Sequence, residues 1–187
     1  MHDNALCYEI GSSTGALINK IYHRHLHKKN VRFIGIEPIL EMVEEAKSKV
    51  DKKVEFLNEN IEDIILEKSN LVVGYYFLQF VQVSKRSEVL KKIYESLNEG
   101  GGLILFEKEM ADDSKISKLI TSSYMKFKIE NGFSADEVLS KQFSLEGMMI
   151  TNTHKENKKM LSDVGFLHVT TVMKYGEFNG YVCFKSK

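Results

Sequence analysis

At 187 residues, with 26 basic and 26 acidic side chains and a formal net charge of +0, the chain is long enough to bury one core and has no bulk attraction to nucleic acid or an anionic membrane. Hydrophobic residues at 43% and charged residues at 28% describe an ordinary globule, and no apolar run reaches the ~18 residues of a membrane span. The opening "MHDNALCYEIG" lacks the charged-then-apolar layout of a secretory signal, so a cytoplasmic protein is expected, without a membrane partner.

Taken in chain order, short apolar runs alternate with helical patterns. Residues 5–11, "ALCYEIG", read as a buried strand, and 14–26 place Leu17, Ile18, Ile21 and Tyr22 on one helical face. A second strand spans 31–37. A second helix spans 38–50, with Leu40, Val43 and Ala46 at helical spacing and Pro38 in a loop or first-turn position. A third strand is expected at 53–60, and "NLVVGYYFLQFV" (70–81) reads as a strand running into an aromatic turn. Residues 85–97 form an amphipathic helix that "NEGGG" is expected to end as a glycine cap, before a buried strand at 101–109. Residues 112–150 carry helical patterns with no strand between them and are the candidate substrate-facing cap. A helix at about 153–163 is followed by two strands with an expected turn at Asn179-Gly180. Cys7 and Cys183 fall inside strand-like runs and read as buried thiols, too few for a disulfide framework. The alternation predicts an α/β fold of the Rossmann-like kind: a doubly wound, mostly parallel sheet with a C-terminal antiparallel hairpin, residues 1–187 forming one domain.

The first strand, loop and helix make a ligand cradle. Gly11 follows the strand, Gly15 opens the helix, and Glu9 precedes them. Glu37 ends the second strand, where an acid suits ribose hydroxyls, and Asn60 follows the third, where an amide suits an adenine amine. The loop reads E-x-G-x-x-x-G, with Ser13 where a dinucleotide loop has its middle glycine. That substitution disfavours the pyrophosphate of NAD or FAD and favours a nucleoside without phosphates, of which S-adenosylmethionine (SAM) is the common one. The plainer alternative is that the glycines only make a tight turn.

The stretches "EIGSSTG", "IGIEP" and "NENIED" resemble the SAM-binding motifs of class I methyltransferases. The second half, in "KIYESLNEGGGLILFEKE" and "SLEGMMITNTHKENKKMLSDVGF", resembles the carboxy-SAM synthase family, which serves tRNA wobble-uridine modification. The resemblance implies that Gly11, Ser12 and Ser13 lie along the methionine and ribose of the cofactor, that Glu37 and Pro38 flank ribose and adenine, and that Asn60 and Ile61 contact adenine. It puts Tyr75 where the family has an asparagine near the sulfonium, and it implies a homodimer with the insert near the interface. Where the family has an arginine that grips the cofactor's carboxylate, this sequence reads Lys141-Gln142-Phe143, so the position falls on Gln142. A neutral amide does not form the bidentate, charge-assisted pair that arginine does; Lys141 or Lys128 is the substitute cation. Family members also carry a helical region ahead of the first strand, with a tyrosine that closes over the cofactor, and on this reading the lid is absent here.

The leading expectation is a SAM-dependent methyltransferase-like enzyme with an unassigned acceptor and no metal. The alternatives are a carboxy-SAM synthase, which carboxylates SAM at the expense of prephenate, and a non-catalytic SAM- or partner-binding module. Tyr75, Tyr76 and Phe77 are either a cation-π face for the sulfonium or packing. Glu107 and Lys108 after the fifth strand are either substrate-facing or a solvated pair. "HRHLH" (23–27) is read as a cationic helix end in preference to a metal pair, and Lys115, Lys118, Lys126 and Lys128 as a wet helix face.

Overall fold

The apolar runs bounded by turn residues become strands, and the central ones are buried on both faces. A computed structural model of the chain describes residues 1–186. The elements are β1 (Leu6–Ile10), α1 (Ala16–Arg24), β2 (Arg32–Ile36), α2 (Leu40–Lys49), β3 (Val54–Leu57), β4 (Ser69–Tyr75), α3 (Arg86–Ser96), β5 (Leu97–Met110), α4 (Ser114–Glu130), α5 (Ala135–Leu145), β6 (Asn152–Thr153), α6 (His154–Asp163), β7 (His168–Tyr175) and β8 (Phe178–Phe184). The main sheet runs β3-β2-β1-β4-β5-β8-β7, with β6 beside the end of β5. β8 is antiparallel to both neighbours, and the other pairings are parallel. The expected doubly wound sheet with a closing hairpin is the fold observed.

Alternation along β1 sorts the core into two layers. Tyr8 and Ile10 join Ile34, Ile36, Leu90, Ile93, Leu161 and Phe166 under α3 and α6. Cys7 joins Ile18, Phe33, Val43, Ala46 and Phe56 under α1 and α2. Both cysteines are buried and unpaired, and loss of hydration pushes each thiol up to about 12. Leu40, expected on the inner face of α2, is exposed. The strand order reverses between β1 and β4, which opens a crevice at their C-terminal ends.

Two expectations about turns are overturned. Residues 98–101 do not cap α3 as a glycine motif. Leu97 is already extended and pairs with Ser69, and pairing resumes at Gly102 opposite Leu71 after an irregular step. The last carbonyls of α3 are satisfied from outside, because the Lys185 ammonium donates to Tyr94 O (3.0 Å) and Leu97 O (2.9 Å). The hairpin turn lies at Gly176-Glu177, with Tyr175 paired to Phe178 and Gly176 at φ 58°. Asn179 and Gly180 sit inside β8 opposite Glu107 and Phe106. A Cβ at Gly180 would meet the Phe106 ring at 2.5 Å, so that glycine serves packing rather than a turn.

The insert forms two helices and no strand, as its pattern suggested. Asp113 caps α4 by accepting from the backbone N–H groups of Lys115 and Ile116, and Ser134 with Glu137 makes a capping box on α5. α4 buries none of its residues and α5 buries only Val138.

Candidate functional site

The loops that leave β1, β2, β3 and β4 converge on one cavity of about 620 Å³. Gly11 directly follows β1, Glu37 directly follows β2, Asn60 lies in the loop beyond β3, and Tyr75 ends β4. Gly11, Ser13, Glu37, Pro38, Asn60, Ile61 and Tyr75 all line the cavity, and Lys141 faces it from α5. Ser12 and Gln142 do not. The Ser12 hydroxyl is buried without a partner, about 2.7 Å from where a Gly35 Cβ would stand, and Gln142 is exposed on α5.

Glu37 ties the first two loops together. Its carboxylate accepts from the Ser13 N–H at 2.8 Å and from the Ile39 N–H at 3.2 Å. The Asn58 amide donates to the carbonyls of Glu37 (3.1 Å) and Pro38 (2.9 Å), which fixes the third loop against the second. A carboxylate has roughly four lone-pair positions, so acceptor capacity remains at a residue that also lines the cavity.

The floor explains Gly11 differently from the sequence reading. Gly11 has φ 69°, and a Cβ there would fall 2.8 Å from the Phe77 Cβ. Phe77 also lies against Gly74, so its side chain crosses beneath the ends of β1 and β4. The glycine is needed for a left-handed turn and for the phenylalanine, as well as for an open cavity. Of the aromatic trio, Phe77 is therefore packing. Tyr75 is half exposed, its ring centroid 4.5 Å from that of Tyr76. Loss of hydration, together with Tyr75, pushes the Tyr76 hydroxyl up to about 12.

Ser13 (φ 49°) and Tyr76 (φ 60°) hold left-handed backbone without being glycine, and both line the cavity. Such conformations persist where the surroundings over-determine them. The Ser13 N–H is held by Glu37, and the Tyr76 N–H donates to Phe106 O at 2.8 Å. No local sequence pattern marks either one.

Glu107 and Lys108 are neither substrate-facing nor a solvated pair. Glu107 is buried under the loop after β4 and accepts from the N–H groups of Leu78 (2.9 Å) and Gln79 (3.1 Å), and burial pushes its carboxyl up to about 8. Lys108 pairs with Glu177 at 3.0 Å. Lys128 sits 4.3 Å over the Tyr124 ring; burial, then Lys108, lowers its pKa, so it departs from the wet face on which Lys115, Lys118 and Lys126 are exposed. In "HRHLH", the His25 ring contacts Ile21 O at 2.8 Å and the His25 backbone N–H donates to Tyr22 O, which is a helix end. Sequence reasoning missed the wall formed by Ser144, Leu145 and Met148, and it missed Arg86 and Gln79 behind the β4 loop.

These residues suit SAM. Glu37 offers acceptors for a ribose diol, Asn60 an amide for an adenine edge, and Pro38, Ile39 and Ile61 apolar faces for a purine. The half-exposed Tyr75 ring suits a sulfonium. Of the insert, only α5 and the residues just beyond it reach this cavity, while α4 lines a separate open hollow with Met110 and Ser114. No helix among the described residues is long and apolar enough to cross a membrane.

The comparisons agree with this geometry. A family model described as a methyltransferase domain matches residues 8–101. The carboxy-S-adenosyl-L-methionine synthase of Wolinella succinogenes is 34% identical over 183 residues, covering 96% of this chain and 76% of that protein. The synthase of Campylobacter lari is 32% identical over 185 residues, covering 97% and 78%. Among solved structures, human N-acetylserotonin methyltransferase in complex with SAM superposes with a TM-score of 0.70 at 18% identity, covering 98% of this chain and 48% of that one. PigF with SAH gives a TM-score of 0.67 at 14% identity, covering 97% and 50%.

Proposed function

Because this chain belongs to the carboxy-SAM synthase family within the class I SAM-dependent methyltransferases, we propose that it binds SAM in the cavity at the strand ends and uses it as a methyl donor to an acceptor entering beneath α5. The convergence of Gly11, Glu37, Asn60 and Tyr75 on that one cavity carries the reading. Glu37 binds the ribose hydroxyls while bracing the Ser13 loop. Asn60 bonds the adenine amine, and Pro38 and Ile61 sandwich the purine. Gly11, with Ser13, leaves room for the methionine arm, while Ser12 supports that loop from below. Bound SAM supplies a methyl carbon already activated by the sulfonium. The protein's task is to align and to exclude water, the part of catalysis that effective molarity governs. Tyr75 faces the positive sulfur, and Ser144, Leu145 and Met148 shield it from solvent.

Carboxylation of SAM is the second reading, favoured by Lys141, the one cationic side chain on the cavity wall among the described residues. On this reading Lys141 takes the place of the missing arginine, while Gln142 points to solvent. Mass spectrometry of the small molecule that co-purifies with the protein separates the readings. SAM or its demethylated product supports methyl transfer, and SAM plus a carboxyl group supports the synthase. An empty protein with no thermal shift on adding SAM would leave only the non-catalytic module.

A homodimer through the insert goes with either reading. α4 buries nothing and exposes Ile116, Leu119 and Phe127 on one side, a face that a second copy of the chain would cover. Light scattering across a dilution series tests this, and a monomer at all concentrations would refute it.

A further inference from the structure

α3 begins with an arginine that does not reach solvent. Arg86 is 1% exposed, and its guanidinium makes four hydrogen bonds to protein acceptors. Nε donates to Val81 O at 3.0 Å. One terminal nitrogen donates to Asn152 Oδ1 at 2.8 Å, the other to Gln79 O at 3.2 Å and Ile150 O at 2.6 Å. A buried charge is costly unless acceptors surround it, and the rigid fork of a guanidinium suits several acceptors fixed in different directions.

These acceptors come from two stretches of chain far apart in sequence. Gln79 and Val81 belong to the loop after β4, where Phe80 and Val81 line the cavity. Ile150 ends the insert and Asn152 opens β6, both just past Met148, which also lines the cavity. The Ile150 N–H also donates to Gln79 O at 3.0 Å, so backbone and guanidinium close one junction. Asn152 extends the junction inward, because its amide donates to Asn157 and Asn157 donates to the buried Glu109 carboxylate, both within 2.9 Å. Elsewhere α4 and α5 contribute only Val138 to the buried interior.

We propose that Arg86 is a positioning residue for the SAM cavity, locking the C-terminal end of the insert to the loop after β4 so that the two walls keep one spacing. The inference rests on the cavity being the SAM site. Without the guanidinium, three carbonyls and an amide oxygen lose their shared donor, and the wall carrying Ser144 and Met148 is free to part from Phe80 and Val81.

The test uses the full chain with Arg86→Met and Arg86→Lys, and Leu161→Ala as a control that loosens buried packing on α6 without removing any of the junction's hydrogen bonds. SAM affinity is measured by calorimetry at a temperature where circular dichroism shows each variant folded, and amide hydrogen exchange is followed along the chain. Both Arg86 variants should bind SAM about tenfold more weakly, with faster exchange concentrated in residues 77–82 and 144–152. Leu161→Ala should lower the melting temperature and leave SAM affinity unchanged. Unchanged affinity in Arg86→Met, or exchange raised uniformly as in the control, overturns the proposal. If Arg86→Met does not fold, Asn152→Ala removes one acceptor and carries the same test with about a threefold loss. If the unsubstituted chain does not bind SAM, the functional reading fails separately, and the localised exchange still decides whether Arg86 holds the junction.

Discussion

The loops after β1 and β2 are tied to one buried carboxylate, whereas the insert from Ser114 to Ile150 lies on the molecule with Val138 as its one buried helical side chain. The first arrangement holds the backbone N–H groups of Ser13 and Ile39 on the Glu37 carboxylate at the edge of the cavity. The second leaves two well-capped helices whose placement depends on few contacts. The two regions also answer pH with opposite sign. Burial raises Glu9 and Glu107, on the strands, from 4.5 to about 8, so the folded state holds protons that the unfolded chain releases. Their contribution is complete below about 4.5 and is lost as pH rises through about 8. Glu137, in the α5 capping box, is lowered by the backbone N–H of Ser134 and then by its hydroxyl, so its contribution is present above the ordinary carboxylate range and is lost in acid. The loops held by Glu37 thus form the strand-end side of the cavity, and the sparsely buried insert contributes Lys141, Ser144, Leu145 and Met148 to the same cavity.

The largest expected break in this contrast is Phe77→Ala, which empties the floor under β1 and β4 and should cost about 3–4 kcal/mol in denaturant unfolding. A loss under about 1 kcal/mol would show that the floor is not what rigidifies the strand ends. Glu37→Ala should come next. It removes the acceptor of two backbone N–H groups as well as the ribose contact, and calorimetry should record SAM binding weaker by about a hundredfold, near 3 kcal/mol. The pH contrast sharpens the comparison without any ligand. The melting temperature should fall between pH 5 and 8.5, and Glu107→Gln should flatten part of that slope. An unchanged slope would mean that Glu107 does not hold its proton in the fold. On the other side, Ser134→Ala should cost about 1 kcal/mol of cap energy, visible as faster amide exchange in α5 with β1 and β2 unaffected. The smallest effect belongs to Leu119→Ser. Stability should stay within about 0.5 kcal/mol, and only dimerisation measured by light scattering should weaken.

Most of the cradle was legible because its signals are local. Gly11, Glu37, Asn60 and Tyr75 each stand at or just beyond a strand end, and strand ends follow from apolar runs and turn residues. The insert was legible as helices from its periodicity, though its period does not say which helix faces the cavity. Where the reading failed, a local signal was used for a non-local purpose. Asn179-Gly180 has the composition of a turn, but Gly180 is there for the Phe106 ring on the neighbouring strand. "NEGGG" looks like a helix cap, but the last carbonyls of α3 are met by Lys185 from the far end of the chain. Glu107 looks like a surface acid, but the register of β5 buries it under Leu78 and Gln79.

The sequence by itself determined a doubly wound, mostly parallel sheet with a closing antiparallel hairpin, the helical character of the insert and the residue types at the strand ends, since periodicity, loop glycines and single residue identities are written along the chain. Only the tertiary structure decided that Lys141 faces the cavity while Gln142 does not, that Gly11 makes room for Phe77, and that Arg86 joins the insert to the β4 loop. Those facts depend on which face of a helix meets a wall, and on contacts between residues as much as 66 positions apart. Chain connectivity does not encode such contacts one residue at a time; packing of the whole selects them.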